Sequence, residues 1–241
     1  MADNTEAKFI LNFETSVVQI GTLGAGYVPP NPIAGLAVLQ TNLTQILAAK
    51  ETLDQKEAVE EDKRNAREDL FKTLAPRCSS VVNYCESMGI DENDLENLRY
   101  FLRELRGVRA KPVTPSEPGA TPVKTISAAQ TSFANQQDWF AQFVEKVRVV
   151  SGYHPPEDGL KLSDLEALRD DAQRANTDVI TAESETAQAR AALDELLYTG
   201  AGCVINAMKS AKKYILSVFG ANHPVYQTIT KFRFNLPKRL K

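Results

Sequence analysis

Along most of the chain apolar side chains return every three or four positions, the period of a helix with one face turned inward. No stretch alternates strongly enough with period two to predict a sheet. The clearest run is Leu165, Leu168, Ala172, Ala175, Val179, Ala182, Thr186, Ala189, Leu193 and Leu196, which keeps its phase without Gly or Pro until Gly200. It predicts one long helix of about 50 Å with a narrow, alanine-rich seam. Ser163-Asp164-Leu165-Glu166 has the capping-box form, a hydroxyl at the N-cap and a carboxylate three residues on, and marks its expected start. The stretch Ile33 to Leu74 has an apolar beginning and a polar middle, Asp54 to Asn65; one long helix is expected here too, with a hidden hairpin as the alternative. Each long helix is predicted to stop at a breaker, Pro76 or Gly200-Ala201-Gly202. Shorter helices should follow, from about Arg77 to Met88, from an Asp91 cap to about Arg106, from about Cys203 to Phe219, and a last one opening at Pro224.

The chain also resembles itself. Gly26-Tyr27-Val28-Pro29-Pro30 returns as Gly152-Tyr153-His154-Pro155-Pro156. An aromatic-bearing apolar helix precedes each copy (Phe9, Phe13, Val17 against Trp139, Phe143, Val147), and Leu36 and Leu39 answer to Leu162 and Leu165. Further on, Ala66-Arg67 matches Ala189-Arg190, and Gly89 and Gly220 each precede a cap-type residue, Asp91 or Asn222. Between the halves, Pro112, Pro115, Pro118 and Pro122 favour extended chain and predict a linker. The expected fold class is therefore all-α, a tandem duplication of an antiparallel helical-bundle module with one long helix per repeat. The expected boundaries are 1–106 for the first repeat, 107–127 for the proline-rich linker, and 128–241 for the second repeat with a basic C-terminal tail.

Composition narrows the class without naming a function. With 43% apolar and 24% charged residues among 241, the chain is folded globular material, which excludes disordered and collagen-like proteins. Three cysteines do not make a disulfide framework, and the first residues carry neither a basic nor an apolar signal region, so a cytoplasmic location is expected.

Most of the residue types that could carry chemistry have a plainer reading. His154 and His223 both precede proline in inter-helix loops, and no His-x-x-x-His, Glu-x-x-His or Cys-x-x-Cys spacing accompanies them, so no metal is expected. Cys78 and Cys85 would lie about two helical turns apart, beyond disulfide reach, and with Cys203 read as buried core thiols. Gly21-Thr22-Leu23-Gly24-Ala25-Gly26 has the wrong glycine order for a phosphate loop and reads as a helix end followed by a turn. The run from Thr15 to Ala49 lacks any charge, but Pro29, Pro30 and Pro32 interrupt it and neither flank is long enough to span a bilayer, so it reads as core. The sign-alternating segment Glu57 to Asp69 reads as a solvated helix face with i,i+4 pairs.

One feature survives as a candidate site. Residues 204–241 hold eight cations and no acid, so the formal charge of −3 conceals a remainder at −11. Lys209, Lys212, Lys213, Lys231, Arg233, Lys238, Arg239 and Lys241 are the candidate contacts to an anion or a nucleic acid. Interleaved Tyr214, Phe219, Tyr226, Phe232 and Phe234 would suit base stacking if exposed and core packing if not.

From Val218-Phe219-Gly220-Ala221-Asn222-His223-Pro224-Val225-Tyr226 to Lys231-Phe232-Arg233-Phe234, the chain resembles C-terminal tails of bacterial helical-bundle proteins of no established activity. Those tails read roughly F-G-x-x-S/H-x-x-Y before a basic aromatic end, and Asn222-His223-Pro224 departs from their commoner serine. The resemblance implies a bacterial origin and a helical bundle, and carries over no catalytic residue. The expected function is a noncatalytic scaffold or adaptor working through protein–protein contacts, with no cofactor, no enzymatic activity and no membrane. A nucleic-acid-binding accessory protein using the basic C-terminal region is the second reading, and a membrane-active helical protein the third.

Overall fold

The computed structural model describes residues 4–107 and 132–240. Every regular element among them is helical. In chain order these are α1 (Asn4–Gly21), α2 (Leu36–Met88), α3 (Glu92–Arg106), α4 (Phe133–Arg148), α5 (Leu162–Asp194), α6 (Val204–Phe219) and α7 (Pro224–Ile229). Short 3-10 turns occupy Gly24–Gly26, Pro32–Ala34 and Lys238–Leu240, and a π-helical turn, Glu195–Thr199, continues α5. The proline-rich linker expected at 107–127 lies outside the described residues, except for Gly107, which ends α3 in the left-handed conformation (φ 62°).

The long helices differ from expectation in instructive ways. No hairpin interrupts α2; it is one helix of 53 residues, and Pro76 lies inside it instead of ending it. A proline there removes one backbone hydrogen bond and crowds the preceding turn, at about 3 kcal/mol. Burial offsets that cost, since Leu74, Cys78, Val81, Val82 and Cys85 are all inside on either side of the proline. Nearby carbonyls are also engaged: Ser79 donates to Ala75 O at 2.7 Å and Ser80 to Pro76 O at 3.2 Å. In α5 the capping box does not form as read. The helix begins at Leu162, so Ser163 is already within its first turn, and the Asp164 carboxylate accepts instead from the Gly159 amide at 2.6 Å. Gly159 can serve there because its φ is +83° and the Arg77 guanidinium lies where a β-carbon would stand.

The chain separates into two compact units. The first comprises Met1–Val59 and Glu183–Lys241, and the second Glu60–Ala182. Each thus draws on both halves of the sequence. The first unit holds α1, the beginning of α2, the end of α5, α6 and α7 around a core that includes Phe13, Ile20, Leu39, Leu193, Met208 and Ile215. The second holds the remainder of α2, α3, α4 and the beginning of α5 around Leu74, Val81, Leu98, Phe140, Phe143 and Leu165. Within the first unit the two long helices run antiparallel, with Asn42 bonded to Gly202 O and Lys56 paired with Glu185 at 2.7 Å.

Both units contain the same tyrosine-locked turn between a short helix and a long one. Tyr27 is buried and donates to Ala34 O at 2.7 Å; Tyr153 is buried and donates to Leu160 O at 2.6 Å, again seven residues on. Each ring also meets a second tyrosine edge to face, Tyr214 at 5.4 Å in the first unit and Tyr84 at 5.6 Å in the second. Burial pushes both phenols well above their ordinary value.

The remaining sequence features resolve simply. Cys78, Cys85 and Cys203 are free and buried, as read, and burial pushes the Cys85 thiol up to about 11. The glycine-rich stretch is the end of α1 and a turn. The charge-free run supplies core, including Val17, Ile20, Ala34, Leu39 and Ile46. Among the described residues no helix is long and apolar enough to cross a membrane. The charged middle of α2 does carry the expected i,i+4 pair Glu60–Arg64 at 2.6 Å, but it also reaches across to α5, through Lys56–Glu185 in the first unit and Lys63–Asp178 in the second.

Candidate functional site

The basic tail becomes a site through a change of backbone after α7. From Lys231 to Asn235 exposure alternates residue by residue, with Phe232 and Phe234 turned inward and Lys231, Arg233 and Asn235 outward. That is the habit of an extended segment packed on one face. Phe234 meets Phe9 of α1 edge to face at 5.1 Å, and Lys212 of α6 lies over the same ring at 5.0 Å. Lys212 also donates to Phe232 O at 2.7 Å, and its partial burial lowers its pKa from the ordinary lysine value. The tail is thereby fastened to α1 and α6.

Its end is fastened separately. Arg239 makes a two-pronged ion pair with Asp194, at 2.5 and 2.6 Å, and lies 3.4 Å from Glu6. Asp194 is buried at the end of α5, where the π-helical turn begins, so this pair closes the tail against the body of the first unit. The Asp194 carboxylate raises the Arg239 pKa further above its ordinary value.

Between the fastened tail and α1, α2 and α5 lies a cleft of about 1250 Å³. Phe9, Leu53 and Tyr198 form its buried floor, and Phe232, Leu236 and Pro237 of the tail give it accessible apolar surface. Its charged lining comprises Lys8, Lys50, Arg190, Lys231, Arg233, Lys238 and Arg239 against Glu6 and Glu57. Lys50 is paired with Asp54, Arg190 with Glu57, and Arg239 with Asp194. Lys8, Lys231, Arg233 and Lys238 are exposed and make no ion pair among the described residues.

Of the eight cations read from the sequence, Lys231, Arg233, Lys238 and Arg239 come together at this cleft. Arg239 is spent on Asp194. Lys212 holds the tail, Lys209 and Lys213 stand on the exposed side of α6 away from the cleft lining, and Lys241 lies outside the described residues. Sequence reasoning missed Lys8, Lys50 and Arg190, which reach the cleft from helices remote in the chain. The alternation Lys231-Phe232-Arg233-Phe234 was the available signal that the tail is extended with its cations on one side.

The histidines have local roles or none. His223, and not Asn222, is the N-cap of α7, its Nδ1 accepting from the Val225 amide at 3.3 Å, and His154 is exposed. Among the described residues no group of three or more His, Cys, Asp or Glu has a metal-holding arrangement. Comparison with protein-family models, with curated proteins and with solved structures finds no match.

Proposed function

We propose that the protein is a noncatalytic helical adaptor that works through protein–protein contacts, built by duplication of one bundle module. The cleft of the first unit carries this reading. Its charged groups without an ion pair among the described residues are cations, which hold a partner by charge, and its two carboxylates face guanidinium groups instead of forming an acid–base pair. The duplication is supported by the two tyrosine-locked turns of equal span, by Leu39 and Leu165 as fully buried residues early in each long helix, and by Gly89 and Gly220 closing α2 and α6.

A nucleic-acid role through the basic C-terminal region is the second reading, favoured by Lys231, Arg233 and Lys238 on one cleft. Its weakness lies in the aromatics, because Tyr214, Phe219, Tyr226 and Phe234 are packed against the core and offer no stacking platform. The deciding experiment is affinity purification of the full chain at native abundance, followed by reconstitution from purified parts. The adaptor reading expects a defined protein in fixed stoichiometry that rebinds the purified chain. Nucleic acid that co-purifies and is released as salt rises, with no protein partner surviving reconstitution, would overturn it.

A further inference from the structure

The adaptor reading leaves the partner's chemistry open, and the first unit's cleft constrains it. Four exposed cations that make no ion pair among the described residues, Lys8, Lys231, Arg233 and Lys238, share the cleft with an apolar surface whose accessible part is Phe232, Leu236 and Pro237, over the buried Phe9, Leu53 and Tyr198. Positive charges gathered along one cleft repel, and a bound anion relieves that repulsion. A purely ionic ligand would gain nothing from the apolar surface, while an apolar ligand would leave the cations uncompensated. The occupant therefore carries both acids and an apolar anchor.

Size and donor type narrow it further. At about 1250 Å³ the cleft exceeds the roughly 300–1,000 Å³ usual for small-molecule sites. Three of the four cations are lysines, mobile point charges that suit carboxylates in varied positions and hold phosphate without the geometric selection of a paired arginine fork. Of the tail's rings, Phe234 is spent on packing against Phe9 and beneath Lys212, which leaves Phe232 as the one tail ring lining the cleft and no row of rings for successive bases. We propose that the cleft docks an acidic linear segment of a partner protein, with its carboxylates on Lys8, Lys231, Arg233 and Lys238 and one aromatic or large aliphatic side chain on Phe232, Leu236 and Pro237. This rests on the adaptor reading and assigns its contact chemistry.

The test uses the full chain and two fluorescein-labelled peptides of about twelve residues, one all glutamate and one with two central phenylalanines among the glutamates. Anisotropy is read at about 0.1 M salt, with a labelled thymidine oligonucleotide of similar length as the third probe. Micromolar binding of the phenylalanine-containing peptide is expected, about fivefold or more tighter than the all-glutamate one, with the oligonucleotide weakest. The double change Lys231→Glu with Arg233→Glu should weaken it at least tenfold. Lys209→Glu with Lys213→Glu, equal in charge but outside the cleft lining, should change it less than about twofold. Circular dichroism of both variants should match the parent, since all four side chains are exposed. Equal loss in both variants, or no preference for the phenylalanine peptide, would reduce the effect to net charge and overturn the cleft assignment. So would a reconstituted partner that binds normally to the Lys231/Arg233 variant, which would leave the adaptor reading intact. Tighter binding of the oligonucleotide would overturn both.

Discussion

In the second unit the short helix α4 is covered by another helix. Along α3, Leu95, Leu98, Leu102 and Leu105 are buried, Asp94 pairs with Lys146 of α4 at 2.7 Å, and Tyr100 meets Trp139 edge to face. In the first unit α1, the helix before the tyrosine-locked turn, is covered by the six-residue α7, whose buried side chains are Val225 and Ile229, and by the tail through Phe234 on Phe9. Beyond Ile229 the helical period gives way to alternation, and the tail crosses as extended chain. Where four leucines at helical spacing seal the face between α3 and α4, the pocket left beside them, lined by Asn97, Phe101, Gln142 and Lys146, is about 550 Å³, less than half the volume of the cleft in the first unit. A bundle end closed by an extended, cationic strap leaves a cleft beside the strap. That difference puts the larger cleft, with its exposed cations, in the first unit.

The comparison can be broken most forcefully at the cores. Phe13 and Phe143 are both fully buried, in the first and second units respectively. Each Phe→Ala change should cost about 3–5 kcal/mol in urea unfolding. Hydrogen exchange should rise first in the unit that lost its ring. Uniform loss of protection through both units in both variants would show that the two cores are not separate.

Alkali should separate the units by extent. Burial raises the pKa of Tyr27 in the first unit, and of Cys78, Cys85 and Tyr153 in the second. These groups are held neutral in the fold, so their stabilisation is complete below the unfolded thiol value near 9 and declines as pH rises, for Cys85 until about 11. The loss should be on the order of 2 kcal/mol per thiol by the linkage relation, and should weigh more on the second unit. Urea midpoints measured from about pH 8 to pH 11 would check it; a flat profile would mean the thiols are not desolvated.

A smaller pair of opposite effects should come from the breakers. At Gly200 a β-carbon would lie 2.7 Å from Glu195 O, a backbone atom that cannot easily withdraw. Gly200→Ala should therefore cost about 1–3 kcal/mol. Pro76→Ala restores a backbone donor inside α2 and should stabilise by about 1 kcal/mol or more. Thermal melts of the two variants that move in the same direction would contradict this account of the long helices.

The smallest effect is also the most symmetrical. Tyr27→Phe and Tyr153→Phe each remove one buried hydroxyl bond to a carbonyl seven residues on, and should each cost about 1 kcal/mol. Chemical denaturation that finds one large and the other near zero would undo the equivalence of the two turns.

Much of this was legible in the chain. The α3 boundaries follow from Asp91 and the leucine spacing, α7 from Pro224, and the buried thiols from their surroundings. Pro76 misled because a local breaker competes with burial on both sides of it, and local pattern does not weigh the two. The pairing of elements was illegible for a different reason. A helical period says which face of α1 turns inward and nothing about which remote segment covers it. Lys8, Lys50 and Arg190 consequently looked like ordinary surface charges, and only the fold sets them beside Lys231, Arg233 and Lys238.

The central structural claim is that each compact unit needs both halves of the sequence, so that the tail of the second half meets α1 of the first. It is tested most directly by expressing residues 1–119 and 120–241 as separate fragments and measuring far-UV circular dichroism and sedimentation, alone and mixed. In the first core Phe13 and Leu39 pack with Met208 and Ile215, and in the second Leu74 and Leu98 with Phe140 and Leu165. The account predicts weakly helical, noncooperative fragments that combine one to one, with helicity well above the sum of the parts and a single cooperative melt. Two fragments that each fold and melt cooperatively alone, with helicities that simply add and no association, would contradict it.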